Sequence, residues 1–394
     1  MKFSVVSKDK KTNARVGVLE TPNGVLNTPA FLSVATLASI KGLDTFEMRD
    51  IGAEIIICNT YHLMLRPGAD LIKKIGGLHK FMNWEGALMT DSGGYQAFSL
   101  GFGMTDKVGK VVNENRQSKK STTEKNQSQN TKLAKITEDG VKFNSHIDGS
   151  LHNLTPEYSM EIQNKLGADL IYVLDECTSP LADYEYTKQS IARTLRWAKR
   201  SQEAHKNNKQ TLFGIVQGGV YQGLRKQSAK EISNLGFEGY GIGGSFGGKQ
   251  MPKIVESVIS ILPEEKPKHL LGIGEIDDIL LAVERGVDMF DCVTPTRYGR
   301  HGVVLTISGK LNIFLSKYKS DKSPLDKKCS CLVCQRYTRA YLAHLCRSGE
   351  INGLRFLTYH NIFFMIQLFE AIRKSIQENK FEKLKNNIIK KWRK

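Results

Sequence analysis

One pattern repeats along most of the chain: an uninterrupted apolar run ends in a polar residue or glycine, and a helical stretch follows. Ile55-Ile56-Ile57-Cys58 ends at Asn59, and Ala87-Leu88-Met89-Thr90 ends at Asp91. Leu170 to Leu174 ends at Asp175, Leu212 to Val216 at Gln217, and Tyr240-Gly241-Ile242 at Gly243-Gly244. His269-Leu270-Leu271 ends at Gly272, and Val287 to Phe290 ends at Asp291. Runs without alternation suit strands buried on both faces, the condition of a parallel sheet. Helices are expected over 156–166, 187–206, 221–235, 250–262 and 277–285. In the first of these Thr155 is the cap, Pro156 takes the tolerated first position and Gly167 ends the helix. Alternating strand and helix means an α/β fold. About seven or eight such strands, with polar residues gathered at their C-terminal ends, favour a closed (β/α)8 TIM barrel, whose active sites sit on that rim. A doubly wound open sheet is the structural rival, but no GxGxxG follows a first strand to support it.

The remaining segments surround this core. Residues 3–34 alternate apolar and polar with turn signals at 9–13 and 22–24, which predicts an N-terminal element of short antiparallel strands. Asp44 can cap a short helix through Arg49. An insertion at about 105–135 is rich in Lys, Asn, Ser, Gln and Thr and reads as a disordered surface loop. Phe364, Leu368, Ile372 and Ile376 recur at helical spacing, and Lys380 to Lys394 is strongly basic. The expected division is a catalytic barrel with its N-terminal strands over 1–311, a small zinc-binding subdomain over 312–375, and a basic C-terminal helix or tail over 376–394. A formal charge of +17 points to a polyanionic partner, nucleic acid ahead of a membrane surface. No run approaches ~18 apolar residues, so a spanning helix is not expected. The start, Met1 to Lys11, lacks the apolar core of a secretory signal. A cytoplasmic setting follows, in which the seven cysteines are thiols or metal ligands rather than disulfides.

Three of those cysteines are grouped as Cys329-x-Cys331-x-x-Cys334, with a helix expected from Gln335 to Arg347 and His360 beyond it. Three thiolates and an imidazole form the tetrahedral set of structural zinc, and four protein ligands leave no open position for catalysis. His344 lies nearer in sequence than His360, but mid-helix, where a histidine is more often a surface residue.

Asp91, Asp175 and Asp291 end separate strands and would converge on a barrel rim. Paired carboxylates serve general acid–base work, or one attacks an anomeric carbon while another moves protons. Asp91 is followed by Ser92-Gly93-Gly94-Tyr95-Gln96, whose glycines allow close backbone approach and whose tyrosine can stack on a flat base. Beside Asp291 stand Pro295, Arg297 and Arg300, a loop able to hold phosphate.

Together these residues resemble the tRNA-guanine transglycosylase family, also called queuine or archaeosine tRNA-ribosyltransferases. The resemblance rests on Thr90-Asp91-Ser92-Gly93-Gly94-Tyr95-Gln96, His146-Ile147-Asp148-Gly149-Ser150 and Leu174-Asp175-Glu176-Cys177-Thr178. It continues through Gly214-Ile215-Val216-Gln217-Gly218-Gly219, Asp288-Met289-Phe290-Asp291-Cys292, Pro295-Thr296-Arg297 and the cysteine–histidine set. It implies an enzyme of queuosine tRNA modification that exchanges the wobble guanine for a 7-deazaguanine. On that resemblance Asp291 is the nucleophile, leaving a covalent aspartyl–tRNA intermediate, and Asp91 is the proton acceptor. Ser92, Gly93, Gly94, Tyr95, Asp175, Gln217 and Gly244 would hold the base, with Asp91 also in contact. The segments Gly272, Ile273, Gly274, Glu275, Ile276, Asp277, Asp278 and Thr296, Arg297, Tyr298, Gly299, Arg300 match the family's RNA-contacting loops. It further implies one structural zinc held by Cys329, Cys331, Cys334 and His360, no organic cofactor, tRNA as partner, and a homodimer.

The chain departs from the bacterial pattern at Gly243-Gly244-Ser245-Phe246-Gly247-Gly248-Lys249. Gly247 stands where a bulky valine is usual, and Lys249 where a glutamate accepts a cationic aminomethyl group. That opened wall is queuine-like, so queuine is the expected incoming base and 7-aminomethyl-7-deazaguanine the poorer one. Glu275 stands where lysine is usual, which weakens the RNA contact expected there. Two alternatives remain: a retaining glycosidase on a barrel, disfavoured by the basic charge, and a non-catalytic RNA-binding subunit, disfavoured by the presence of both Asp91 and Asp291.

Overall fold

A computed structural model describes residues 1–98, 134–244 and 250–392. Most of the expected insertion, and the pocket wall Ser245 to Lys249, lie outside the described residues. The chain opens with an antiparallel sheet, β1 (Lys2–Lys8), β2 (Arg15–Thr21) and β3 (Gly24–Thr28). Eight parallel strands then close a barrel in chain order: β4 (Ala30–Ala35), β5 (Ile55–Cys58), β6 (Ala87–Thr90), β10 (Leu170–Tyr172), β11 (Thr211–Val216), β12 (Tyr240–Ile242), β13 (Lys268–Leu270) and β14 (Met289–Asp291). An antiparallel sheet of β7 (Ala134–Ile136), β8 (Val141–Asn144) and β9 (Leu151–Leu154) is inserted between β6 and β10. A hairpin of β15 (Val303–Thr306) and β16 (Gly309–Asn312) follows the barrel.

The apolar runs become barrel strands because both of their faces are covered. Ile55–Cys58 and Ala87–Thr90 are buried at every position. The helix Pro156–Leu166 starts at the Thr155 cap and stops at Gly167, which adopts the left-handed conformation glycine favours. Asp44 caps Thr45–Ile51 in a reciprocal capping box with Glu47.

Four expectations need correction. The eighth barrel strand is Ala30–Ala35, which the sequence pattern assigned to the antiparallel start. Ser33 imitates alternation there, yet it is fully buried, and the strand pairs in parallel with both β14 and β5. The segment after the cysteine knuckle forms two helices, Leu332–Arg336 and Arg339–Arg347, because the Thr338 side chain caps the second by accepting from Tyr341 N. Residues 134 and 135, given to the disordered insertion, belong to β7, whose ladder partner β8 supplies the hydrogen bonds. The segment after Asp291 is a short helix, Thr294–Arg300, not a loop; Pro295 sits in its first turn, where a missing N–H costs nothing.

The 27-residue helix Ile351–Gln377 runs unbroken across residues 375 and 376. Its Phe369 ring packs against Phe31 of β4 and Phe290 of β14, with centroids 6.1 and 5.5 Å away. Helix Phe381–Trp392 buries Phe381 and Ile388, and Lys385 pairs with Glu284 on the barrel side. No helix among the described residues is long and apolar enough to cross a membrane.

At the far end from the rim, Arg15 of β2 grips Asp288, the residue before β14, through Nε to Oδ1 at 2.8 Å and Nη2 to Oδ2 at 2.6 Å. Arg15 is 4% exposed and Asp288 not at all. Removing one partner of a buried, bidentate pair leaves an uncompensated charge. Arg15→Met is therefore expected to lower stability by about 3–5 kcal/mol, read as a lower urea-unfolding midpoint, without changing the chemistry at the opposite rim.

Candidate active site

The parallel strands all end on one side, and the three expected carboxylates meet there. Asp91 follows β6, Asp175 lies three residues beyond Tyr172 of β10, and Asp291 is the last residue of β14. All three line one cavity of about 600 Å³, within the range of small-molecule sites.

Each carboxylate is held by N–H or O–H donors. Asp91 Oδ1 accepts from the backbone N of Thr60 at 2.8 Å and of Gly93 at 3.2 Å, and Oδ2 accepts from Asn59 Nδ2. Asn59 also caps helix Thr60–Leu65, accepting from His62 N at 2.9 Å, so one side chain both starts a helix and pins the carboxylate. Asp175 accepts from Ser92 Oγ at 3.2 Å and from Gln217 Nε2 at 2.6 Å. Because an ionised carboxylate only accepts, that contact orients the Gln217 amide, and its buried Oε1 has no partner among the described residues. Asp291 Oδ1 accepts from Gly272 N at 2.9 Å and lies 3.1 Å from His269 Nε2.

Below the β11 and β12 ends sits Arg225, fully buried. It donates to the carbonyls of Val216, Gly219 and Gly243 at 3.2, 2.9 and 2.6 Å. Burial pushes its guanidinium down to about 9, so it stays protonated at neutral pH. Gly244 has φ +120°, and a Cβ there would meet Arg225 Nη2 at 2.3 Å, so only glycine lets this backbone line the cavity. Tyr95, in the helical turn after Gly93, completes the lining with Ser92, Gly93, Gln217 and Gly244.

The two segments expected to contact RNA are divided by burial. Ile273, Ile276, Thr296 and Gly299 face the interior; a Cβ on Gly299 would meet Thr358 of the long helix at 2.6 Å. Glu275 and Arg297 are exposed, and Tyr298 and Arg300 half-buried. Glu275 joins the two segments: its Oε1 accepts from Tyr298 OH at 2.6 Å and its Oε2 from Lys310 Nζ of β16 at 2.8 Å. Asp278 sits among Ile276, Asp277 and Glu275, and burial, then the charges of Glu275 and Asp277, push its carboxyl up to about 6.

Sequence patterns missed Asn59 and Thr60 as supports of Asp91, Arg225 beneath the pocket, and Tyr172 and His269 inside the barrel. The signal for Tyr172 was a hydroxyl-bearing ring within an apolar run; His269, next to Lys268, gave none.

A separate cluster gathers Cys329, Cys331, Cys334 and His360, whose ligand atoms all lie within 4.8 Å of one another. His360 Nδ1 is 3.7, 3.4 and 3.3 Å from the three sulfurs in chain order. The edge of an S–N tetrahedron around a metal with bonds near 2.3 and 2.0 Å is about 3.5 Å, so the set fits one structural metal ion. His360 Nε2 meets the Leu305 carbonyl at 2.8 Å, which places the proton there and leaves Nδ1 for the metal. His344 is exposed and outside the cluster.

The sequence profile of queuine tRNA-ribosyltransferase matches residues 9–125 and 104–394. The queuine tRNA-ribosyltransferase of Thermoanaerobacter pseudethanolicus is 47% identical over 396 residues, covering 100% of this chain and 98% of that protein. A protein of Archaeoglobus fulgidus called putative queuine tRNA-ribosyltransferase is 47% identical over 398 residues, covering 98% of each. The queuine tRNA-ribosyltransferase of Fusobacterium nucleatum is 46% identical over 400 residues, covering 100% of this chain and 99% of its own. Likeness at this level, held from end to end over a barrel with its carboxylates on one rim, means that the chain belongs to the queuine tRNA-ribosyltransferase family, the tRNA-guanine transglycosylases.

Proposed function

We propose that the protein exchanges the guanine at the wobble position of tRNA for a 7-deazaguanine, through a covalent aspartyl–tRNA intermediate. The observation that carries this is the meeting of Asp91, Asp175 and Asp291, at the ends of three separate strands, around one cavity of about 600 Å³. The wobble nucleotide must first leave its stack, as for other base-modifying enzymes. An Asp291 oxygen then bonds to ribose C1′ as the C1′–N9 bond breaks and its electron pair departs on guanine. Asp91, carrying a proton at the start of the cycle, gives it to the departing base and is left as a carboxylate. It regains one from N9 of the incoming base, whose attack on C1′ releases the Asp291 carboxylate, so protons and charges balance over the cycle. Asp175 accepts from the base's N–H edge, Gln217 and the Gly244 backbone face its carbonyl, and Tyr95 stacks on its ring. Arg297 and Arg300 take phosphate near the mouth.

Incubation with tRNA should give a denaturation-resistant protein–tRNA adduct. Asp291→Asn should abolish it and slow guanine exchange at least ~10³-fold. Full exchange by that variant would mean that another group attacks the ribose.

The incoming base is proposed from sequence alone. Gly247 and Lys249 make queuine the preferred base over 7-aminomethyl-7-deazaguanine. Competition of the two bases against radiolabelled guanine already in tRNA reads this directly, and a clear preference for the aminomethyl compound sinks the idea.

Three thiolates and one imidazole suit zinc, and with four protein ligands the ion would brace the 312–375 subdomain, which is also the proposed contact of a homodimer. Cys331→Ser is expected to lower both metal content and thermal midpoint, while the folded fraction keeps its exchange rate. Purified wild-type protein without zinc by elemental analysis would defeat the assignment.

A further inference from the structure

We propose that Tyr172 and His269 form a buried pair that positions the Asp291 carboxylate, with Tyr172 selecting the imidazole tautomer whose Nε2 hydrogen faces Asp291 Oδ1. The inference rests on Asp291 as the attacking group.

His269 is the middle residue of β13 and has no solvent exposure. Tyr172 comes from β10, three strands away around the barrel with β11 and β12 between, and reaches across the interior to it. The Tyr172 hydroxyl lies 2.7 Å from His269 Nδ1. Gly241 of the intervening β12 makes room, since a Cβ there would meet the Tyr172 ring at 2.9 Å.

The direction of the hydrogen bonds follows from the environment. Burial, then the charges of Asp291 and Asp175, push the Tyr172 phenol well above its ordinary range, so it keeps its hydrogen. A buried hydroxyl has to donate that hydrogen, and Nδ1 is the partner at hand. Nδ1 is then an acceptor, which puts the ring hydrogen on Nε2. Nε2 sits 3.1 Å from Asp291 Oδ1, off the line of a hydrogen bond, and has no hydrogen-bond partner among the described residues. Gly272 N donates to the same oxygen at 2.9 Å. The Gly272 N–H bonds to Oδ1, and the His269 Nε2 edge lies against the same oxygen at 3.1 Å without completing a hydrogen bond, so its pull is electrostatic; both draw electron density from Oδ1, and attack on the ribose falls to Oδ2. His269 touches no substrate atom on this scheme; it is a positioning residue.

The test uses the full-length, metal-loaded protein, tRNA and radiolabelled guanine, with three variants. Glutamine can accept from Tyr172 through Oε1 and donate to Asp291 through Nε2, whereas leucine can do neither. His269→Leu should lower kcat about 10-fold or more, the equivalent of one transition-state hydrogen bond, with KM for tRNA within about twofold. His269→Gln should recover to within about threefold of wild type. Tyr172→Phe should lose several-fold in kcat while its KM holds. If His269→Leu does not fold, the Gln and Phe variants carry the same decision. Wild-type kcat in His269→Leu or Tyr172→Phe, or a Gln variant far slower than the threefold limit, overturns the pair. Adduct formation separates this from the parent proposal. If Asp291→Asn still exchanges guanine, the nucleophile itself is wrong. If Asp291→Asn is inert but His269→Leu forms adduct at the wild-type rate, only the positioning pair fails.

Discussion

Closure of the barrel between β14 and β4 is the constraint on which the site depends. Asp291 pairs in register with Leu32, so the last strand ends where the first one passes. Parallel pairing leaves no choice about direction: every strand delivers its C-terminal residue to the same rim. Asp91, Asp175 and Asp291 are thus brought together by topology, although 84 and 116 positions separate them in turn (175 − 91 and 291 − 175). The opposite rim carries the structural charge. Arg15 and Asp288 lock the N-terminal sheet to the base of β14, three residues below the carboxylate that does the proposed chemistry. One short segment therefore carries a buried ion-pair residue at its foot and, at its tip, the residue proposed for the reaction.

The helix Ile351–Gln377 extends this coupling outward. His360 contributes to the metal cluster, and the next residue, Asn361, donates to Pro295 O at 3.1 Å and Val303 O at 2.9 Å while accepting from Leu305 N at 2.8 Å. Further along, Phe369 packs on β4 and β14. The cluster, the Thr294–Arg300 helix and the barrel seam are all attached to one rod. A metal bound in the cluster would in this way brace the helix that carries Arg300 and the cavity-lining Arg297 without entering any chemical step.

The barrel was legible because parallel strands buried on both faces write themselves as unbroken apolar runs, and because caps such as Thr155 and Asp44 mark helix starts. The rim carboxylates were legible for the same reason: they end those runs. What stayed hidden depends on partners distant in sequence. Ser33 looked like a surface position because nothing local reveals that β14 and β5 flank it. In β13, Lys268 and His269 are ordinary surface residues by type, yet both are buried, Lys268 donating to the Glu264 carbonyl at 3.0 Å and His269 facing Asp291. Glu275 looked like a lost cation. Lys310, 35 positions later, brings a positive charge to its side, which no local spacing could reveal.

The charge distribution bears on how a polyanion could use an acidic pocket. The chain carries +17 overall, while its cavity is lined by three carboxylates. At physiological salt, fields from separated surface charges fade over about 8 Å, so attraction of tRNA is a property of the basic surface as a whole. Close to the mouth the balance reverses. On the proposed function, a phosphate would meet Arg297 and the nearby Arg300 first and would be repelled by the ionised carboxylates if it went deeper. A nucleobase has no net charge, and its N–H edge is complementary to acceptor oxygens. On the proposed function, the same arrangement would draw the backbone to the rim and admit only the flipped base, placing the ribose carbon between the two, at the level where Asp291 ends its strand.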